Sequence, residues 1–208
     1  MTAEAANSLL KLLEEPPPGW LFILITQQAE RLLPTVLSRV VRLRFDAPDN
    51  SAVQQILKAK GITQNTQVLA ALAGGSPGRA LSYNQADIFA IRREALDLLK
   101  KLPLQNPFGY IAALGWGEKY DRAAALLLTE EFIYLLRDVL LLQSGAGGQV
   151  YNTDIMAGLD GIAADWPLHT ARQGVNAAQE AWQSINKNVS AKNVLEALVL
   201  KLDLLRKE

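Results

Sequence analysis

The sequence contains no cysteine and only one histidine in its 208 residues. The absence of cysteine excludes disulfide bonds, thiolate metal sites and a cysteine nucleophile. The single histidine, His169, has no metal-ligand pattern around it, so we expect it to be structural or solvent-facing. The sequence also lacks a glycine-rich loop followed by Lys-Ser or Lys-Thr, the motif that cradles nucleotide phosphates. We therefore expect no metal site and no ATP bound by this chain alone.

The sequence has no excess of either charge, because 21 lysines and arginines balance 21 aspartates and glutamates. This balance gives no general attraction to nucleic acid or to an anionic membrane. The N-terminus lacks the basic and apolar segments of a signal peptide. The densest apolar stretch, residues 123–142, is interrupted by charged residues, which predicts a buried helix rather than a membrane span. We expect a cytoplasmic protein with no membrane contact.

The first 46 residues predict one longer helix and two β-strands. Apolar residues recur at helical spacing over residues 2–13, and the prolines at 16–18 end that helix. The continuous apolar run at 20–25 is typical of a strand buried on both faces. Residues 41–45 alternate as in a strand with one wet face. Two strands and a helix cannot bury the first strand, so we expect the last third of an α/β domain whose beginning is missing.

Two glutamates, Glu14 and Glu15, follow the last apolar residue of the predicted first helix. The helix macrodipole disfavours anions at this end by about 0.3–1 kcal/mol each. A helix selected only for stability would more often place lysines there. The two side chains are either solvated before a loop or kept for a reason other than helix stability.

From residue 47 onward the pattern is helical throughout. A three-helix module is predicted over 47–85, in which Ser76 is the N-cap of the third helix and Pro77 its first residue. Longer amphipathic helices are predicted over 86–102, 106–115, 120–144, 153–164, 168–187 and 190–207. The expected fold is mainly α: a two-stranded remnant of an α/β domain, a three-helix domain, and an all-helical domain over 86–208.

Three short motifs occur in order between residues 2 and 81. Residues 2–17 run T-A-E-A-A-N-S-L-L-K-L-L-E-E-P-P, residues 22–26 and 37–40 read F-I-L-I-T and L-S-R-V, and residues 75–81 read G-S-P-G-R-A-L. Together they resemble bacterial clamp-loader subunits of the AAA+ class. In that family these segments are a helix signature, the sensor-1 strand with its Ser-Arg-Cys motif, and the start of the sensor-2 helix. The resemblance implies an AAA+ remnant over 1–46, a lid over 47–85 and an oligomerising collar over 86–208.

The resemblance also implies roles for individual residues. Arg39, with Ser38 beside it, matches the arginine finger that reaches the nucleotide of a neighbouring subunit. A guanidinium that is always charged can stabilise phosphate charge in trans without a nucleotide site of its own. Thr26 matches sensor 1, which detects the γ-phosphate in ATP-binding members. Because this chain has no phosphate loop, we expect Thr26 to be vestigial.

The sequence departs from the family pattern at two positions, and the second departure favours the delta-prime type, which typically does not use ATP, over the gamma/tau motor. Val40 replaces the cysteine of the Ser-Arg-Cys motif. Gly78 stands where ATP-binding members place the sensor-2 arginine, and Arg79 is one residue further on. One residue is about 100° around a helix, so Arg79 would miss a phosphate bound at the lid.

The resemblance implies a subunit of the DNA polymerase III holoenzyme that is not an enzyme alone. Its expected partners are the gamma/tau and delta subunits, with ATP and Mg²⁺ on the neighbouring subunit, and the sliding clamp and primed DNA through the assembly. Two alternatives stay open. The chain is a fragment of the gamma/tau ATPase, or it is a helical protein-interaction module in which residues 1–46 have no function.

Overall fold

The computed structural model describes residues 10–26 and 28–207, without the side chains of residues 117 and 118. It divides into two compact units, residues 1–46 and residues 47–208. In the first unit, residues 10–14 are helical, and the amide of Glu15 donates to the carbonyl of Lys11 at 3.0 Å. The first nine residues of the sequence, where most of the predicted helix falls, lie outside the described residues.

The first unit also contains two short helical turns. A 3₁₀ turn spans Ala29–Arg31, and α1 spans Pro34–Leu37. Proline suits the first position of α1, where its missing N–H would have no intrahelical partner. The side chain of Val36 is buried and anchors this turn.

The two predicted β-strands are not formed in the part of the chain that the structure describes. Residues 20–25 and 41–45 carry no regular secondary structure there, and their apolar side chains are exposed except for the half-buried Phe22, with Ile25 93% and Phe45 89% accessible. A β-strand exists through hydrogen bonds to a neighbouring strand, and these segments do not pair with each other. The mainly-α class is confirmed, whereas the prediction of two strands is not met.

The second unit is built from helices that follow the predicted order. They are α2 (Asn50–Ala59), α3 (Thr66–Ala73), α4 (Pro77–Gln85), α5 (Ile88–Lys101), α6 (Pro107–Leu114), α7 (Trp116–Lys119), α8 (Arg122–Gln143), α9 (Met156–Asp165), α10 (Leu168–Asn186) and α11 (Ala191–Leu205). The predicted start of α4 is confirmed, because the Ser76 hydroxyl accepts from the amide of Arg79 at 3.3 Å and Pro77 opens the helix.

The 22-residue helix α8 lies at the centre of this unit and packs against α5, α9 and α10, while α10 also packs against α11. One face of α8 is fully buried through Leu128, Phe132, Leu135 and Val139. The apolar stretch at 123–142 is therefore covered by other helices of the chain. Within the described residues, no helix has the length and apolarity needed to cross a bilayer.

Candidate arginine-finger site

Arg39 lies immediately after α1, at the carbonyl end of that short helix. The amide of Ser38 donates to the carbonyl of Pro34 at 3.0 Å, and the amide of Arg39 donates to that of Val36 at 3.1 Å. These bonds close the last turn in the way that helix ends commonly do. Because Val36 is buried, the turn is held in place while Ser38 and Arg39 face outward.

The guanidinium of Arg39 folds back onto the turn that precedes it. Its Nη1 donates to the backbone carbonyl of Thr35 at 2.9 Å and to the Ser38 hydroxyl at 3.2 Å. The Ser38 hydroxyl itself donates to the same carbonyl at 3.1 Å. A cation is favoured at the C-terminal end of a helix, where carbonyl groups lack intrahelical partners. The structure thus brings the predicted residues Ser38 and Arg39 into one hydrogen-bonded unit.

The other terminal nitrogen of Arg39 forms an ion pair with a carboxylate of the first motif, to which the sequence analysis assigned no partner. Nη2 contacts Oε1 of Glu14, the last helical residue of the segment 10–14. Both side chains are partly accessible, at 35% for Arg39 and 47% for Glu14. The unfavourable position of Glu14 at a helix end was the one sequence signal that this carboxylate has a partner elsewhere.

Thr26 makes a local contact. Its hydroxyl oxygen accepts from the amide of Gln28 at 3.1 Å, a turn that threonine commonly forms with the backbone two residues on. The side chain is exposed. No observation tests its sensor-1 assignment, which stays a prediction.

Arg79 lies in the second unit, where it connects α4 to α8. Its Nη2 donates to Oε2 of Glu130 at 2.7 Å and to the Tyr134 hydroxyl at 2.8 Å, and its Nε bonds the hydroxyl of Tyr83. The guanidinium also lies over the rings of Tyr83 and Tyr134, 5.2 and 5.7 Å from their centroids. Its donors are therefore directed at protein groups on α4 and α8.

The environment of Arg79 keeps its tyrosine partner neutral. Burial raises the pKa of Tyr83 well above its usual range, and the nearby Glu130 carboxylate raises it further. The neutral phenol can donate to Glu130, at 3.3 Å. Arg79, Tyr83, Glu130 and Tyr134 thus form one hydrogen-bonded group between α4 and α8, the Arg79 cluster.

Residues 1–49 match the family described as "DNA polymerase III, delta subunit". The DNA polymerase III subunit delta' of Bacillus subtilis is 28% identical over 97% of this chain, and that of Escherichia coli is 35% identical over 81%. The chain is delta-prime-like. This finding confirms the family resemblance that the motifs indicated.

The delta-prime-like chain spans 62% of the length of the Bacillus subtilis relative and 48% of the Escherichia coli relative. It is also similar to the DNA polymerase III subunit gamma/tau of Mycobacterium tuberculosis, at 29% identity over 69% of this chain and 29% of that protein. The similarity to these two delta-prime relatives therefore extends over more of the chain than the similarity to this gamma/tau protein.

A second polar cluster lies inside the helical unit, around the buried Arg92. Its guanidinium donates to both carboxylate oxygens of Asp154, at 3.1 and 2.9 Å, and to the Asn152 side chain at 2.6 Å. Asp138 accepts from the backbone amide and the side-chain amide of Asn152, at 3.0 and 2.7 Å. The buried carboxylate of Glu131 lies 3.5 Å from Nε of Arg92.

Sequence reasoning treated the charged residues of α8 as interruptions of an apolar stretch, yet two of them lie on its buried face. Glu131 follows Leu128 by three residues, and Asp138 follows Glu131 by seven, which is the spacing of the buried stripe. Periodicity could have found them. Within the described residues there is no group of side chains suited to hold a metal ion, and this cluster ties helices together.

Proposed function

We propose that this chain is a clamp-loader subunit of the delta-prime type that donates Arg39 to the ATP site of a neighbouring gamma/tau subunit. The observation that carries the proposal is similarity to delta-prime relatives over nearly the whole chain, together with a partly accessible arginine at the motif position. Arg39 stands at the end of a helix turn anchored by Val36, so its backbone is fixed while its side chain can reach outward.

The chemistry of such a donor requires little else from this chain. Phosphoryl transfer develops charge on the phosphate oxygens, and a planar guanidinium stabilises that charge through paired hydrogen bonds. ATP and Mg²⁺ belong to the neighbouring subunit in this scheme. The contacts of Arg79 with Glu130 and Tyr134 support the assignment of the nucleotide to the neighbouring subunit, because they direct the lid arginine to α8 and not to a phosphate. Thr26 is then a vestigial sensor.

The helical domain over 86–208 is proposed to assemble with gamma/tau and delta subunits as a collar, following a lid over 47–85. Exposed apolar side chains on three of its helices, Phe108, Leu168 and Leu204, support this proposal, because such side chains are commonly covered at interfaces. Within the holoenzyme the assembly would load the sliding clamp onto primed DNA in the cytoplasm.

The finger assignment is tested with Arg39→Ala in a clamp loader reconstituted with this subunit. We expect clamp- and DNA-stimulated ATP hydrolysis to fall by roughly ten-fold or more, since a trans arginine contributes large factors to phosphoryl transfer. Arg44→Ala is the matched control, because Arg44 is an exposed arginine of the same unit, paired only with Asp46 among the described residues. An Arg39→Ala complex that assembles normally and hydrolyses ATP at the unaltered rate removes the assignment.

The two alternative functions give different results with simple binding measurements. The chain also matches gamma/tau relatives over part of its length, and a gamma/tau fragment would replace gamma/tau in a reconstituted loader. We expect the chain to restore assembly when delta-prime is left out and not when gamma/tau is left out. A helical module unrelated to clamp loading would fail to co-elute with gamma/tau and delta in size-exclusion chromatography, whereas we expect a complex.

A further inference from the structure

Glu14 occupies the edge of the Arg39 guanidinium that faces away from α1. Nη1 is already held by the Thr35 carbonyl and the Ser38 hydroxyl, at 2.9 and 3.2 Å. Glu14 binds Nη2 alone. The orientation of the guanidinium therefore has support from its own turn, and the ion pair adds chiefly a neutralising charge.

A phosphate oxygen and the Glu14 carboxylate are competing ligands for the same nitrogen. Each is an anionic acceptor that forms strong hydrogen bonds with a guanidinium. Nη1 already donates to a backbone carbonyl and a hydroxyl group, which leaves Nη2 as the nitrogen for which they compete. The partial exposure of both side chains makes the pair weak and easily exchanged, because water screens accessible ion pairs. Glu14 also lies at a helix C-terminus, where an anion without a cationic partner is disfavoured.

We propose that Glu14 is a positioning residue whose ion pair keeps the Arg39 guanidinium bound to this chain. This bound arrangement, the parked state, lasts until a phosphate of the neighbouring subunit displaces the Glu14 carboxylate. This inference rests on the proposed function of Arg39. It explains why the helix ends on a glutamate despite the macrodipole. Glu14 does not touch the reacting atoms in this scheme, and its effect passes entirely through Arg39.

The test compares Glu14→Gln with wild type in the reconstituted loader, in the absence and presence of sliding clamp and primed DNA. Glutamine keeps the shape and an acceptor oxygen but removes the charge, so it holds Nη2 less strongly. We expect the unstimulated ATPase to rise by about two- to five-fold, the range that a weak exposed ion pair allows. The stimulated rate should change less, because the carboxylate is then already displaced. Glu30→Gln is the charge-matched control, since Glu30 is exposed, belongs to the same unit and forms no ion pair among the described residues.

Combining Glu14→Gln with Arg39→Ala separates the inference from the function on which it rests. If Arg39→Ala alone leaves the ATPase unchanged, the proposed function fails. If Arg39→Ala lowers the rate but Glu14→Gln matches Glu30→Gln, or lowers the unstimulated rate, the parked state is wrong. We expect Glu14→Gln to have no effect in the Arg39→Ala background, and an increase that persists there would overturn the inference as well.

The ion pair itself is checked on the chain without partners. In ¹⁵N-detected NMR of the arginine side chains, we expect Glu14→Gln to shift the guanidinium resonances of Arg39 and to leave those of Arg44 in place. Unchanged Arg39 resonances would show that the pair is not populated and would overturn the inference whatever the ATPase result.

Discussion

At the scale of single residues, burial decides the protonation of Glu131. Its side chain is fully buried in α8, and neither carboxylate oxygen accepts a hydrogen bond from the described residues, although Nε of Arg92 lies 3.5 Å away. Arg92 directs its closest contacts to Asp154 and Asn152 instead. Burial therefore raises the pKa of Glu131 to about 8, even though Arg92 opposes the shift. The group is mostly protonated at neutral pH, unlike an exposed glutamate.

Glu131→Gln tests this protonation through the pH dependence of stability. A carboxyl whose pKa is raised from 4.5 to about 8 on folding contributes stability that is complete below pH 4.5 and is lost as pH rises through 8. Glutamine mimics the neutral acid, so the variant should lose less stability between pH 5 and 9. We expect it to exceed wild type at pH 9 by on the order of 2 kcal/mol in urea unfolding.

The control for this measurement is Glu180→Gln, which removes an exposed carboxylate paired with Lys201 on the surface. Its stability should run parallel to that of wild type across the pH range, because surface pairs contribute little. Parallel curves for Glu131→Gln as well would show that Glu131 is ionised in the folded protein.

At the scale of helices and loops, the features that could be predicted are those with local causes. The glycine that ends α3 and the serine that caps α4, Gly74 and Ser76, act on the residues next to them in the sequence, so α4 begins where expected. The short helix α7 was not predicted. It is held by Glu94 of α5, which accepts from Trp116 Nε1 at 3.0 Å and from the Tyr120 hydroxyl at 2.8 Å. Such distant partners leave no periodic signal in four residues.

The Arg79 cluster is a long-range contact between α4 and α8, and a double-mutant cycle measures its strength. Arg79→Met and Glu130→Gln each remove one side of a partly buried ion pair, so each should lower the free energy of unfolding by about 1–3 kcal/mol. Because the two groups contact each other, the double variant should lose less than the sum, with a coupling of about 1 kcal/mol.

Arg93→Met provides the control for the cycle, since Arg93 is exposed on α5. It should change stability by less than about 0.5 kcal/mol. Losses of Arg79→Met and Glu130→Gln that add within about 0.3 kcal/mol would show that the two residues do not stabilise each other.

At the scale of the whole molecule, the two units differ in how much apolar surface they bury. The core of residues 47–208 includes fully buried side chains from α2 to α11. In the described part of residues 1–46, Val36 is the one buried apolar side chain. The apolar run at 20–25 was predicted to be a strand buried on both faces, whereas in the structure it forms no strand and most of its side chains are exposed. Composition alone does not show which neighbour covers a segment. The sequence therefore predicted the secondary structure and burial of the second unit far better than those of the first.

Exposed apolar segments without strand partners should make the isolated chain associate with itself, because unpaired backbone and apolar side chains favour edge-to-edge contacts. Light scattering coupled to size-exclusion chromatography should give a mass above 22.7 kDa that rises with concentration.

The double variant Ile25→Lys with Phe45→Lys places charge on the two segments and should shift the mass toward the monomer. Its unfolding midpoint should stay close to that of wild type, since both side chains are exposed. Val189→Lys, which charges an exposed position of the helical unit, should leave association unchanged. A wild-type chain that is monomeric at every concentration, or a double variant that associates as strongly as wild type, would show that these segments are not the cause.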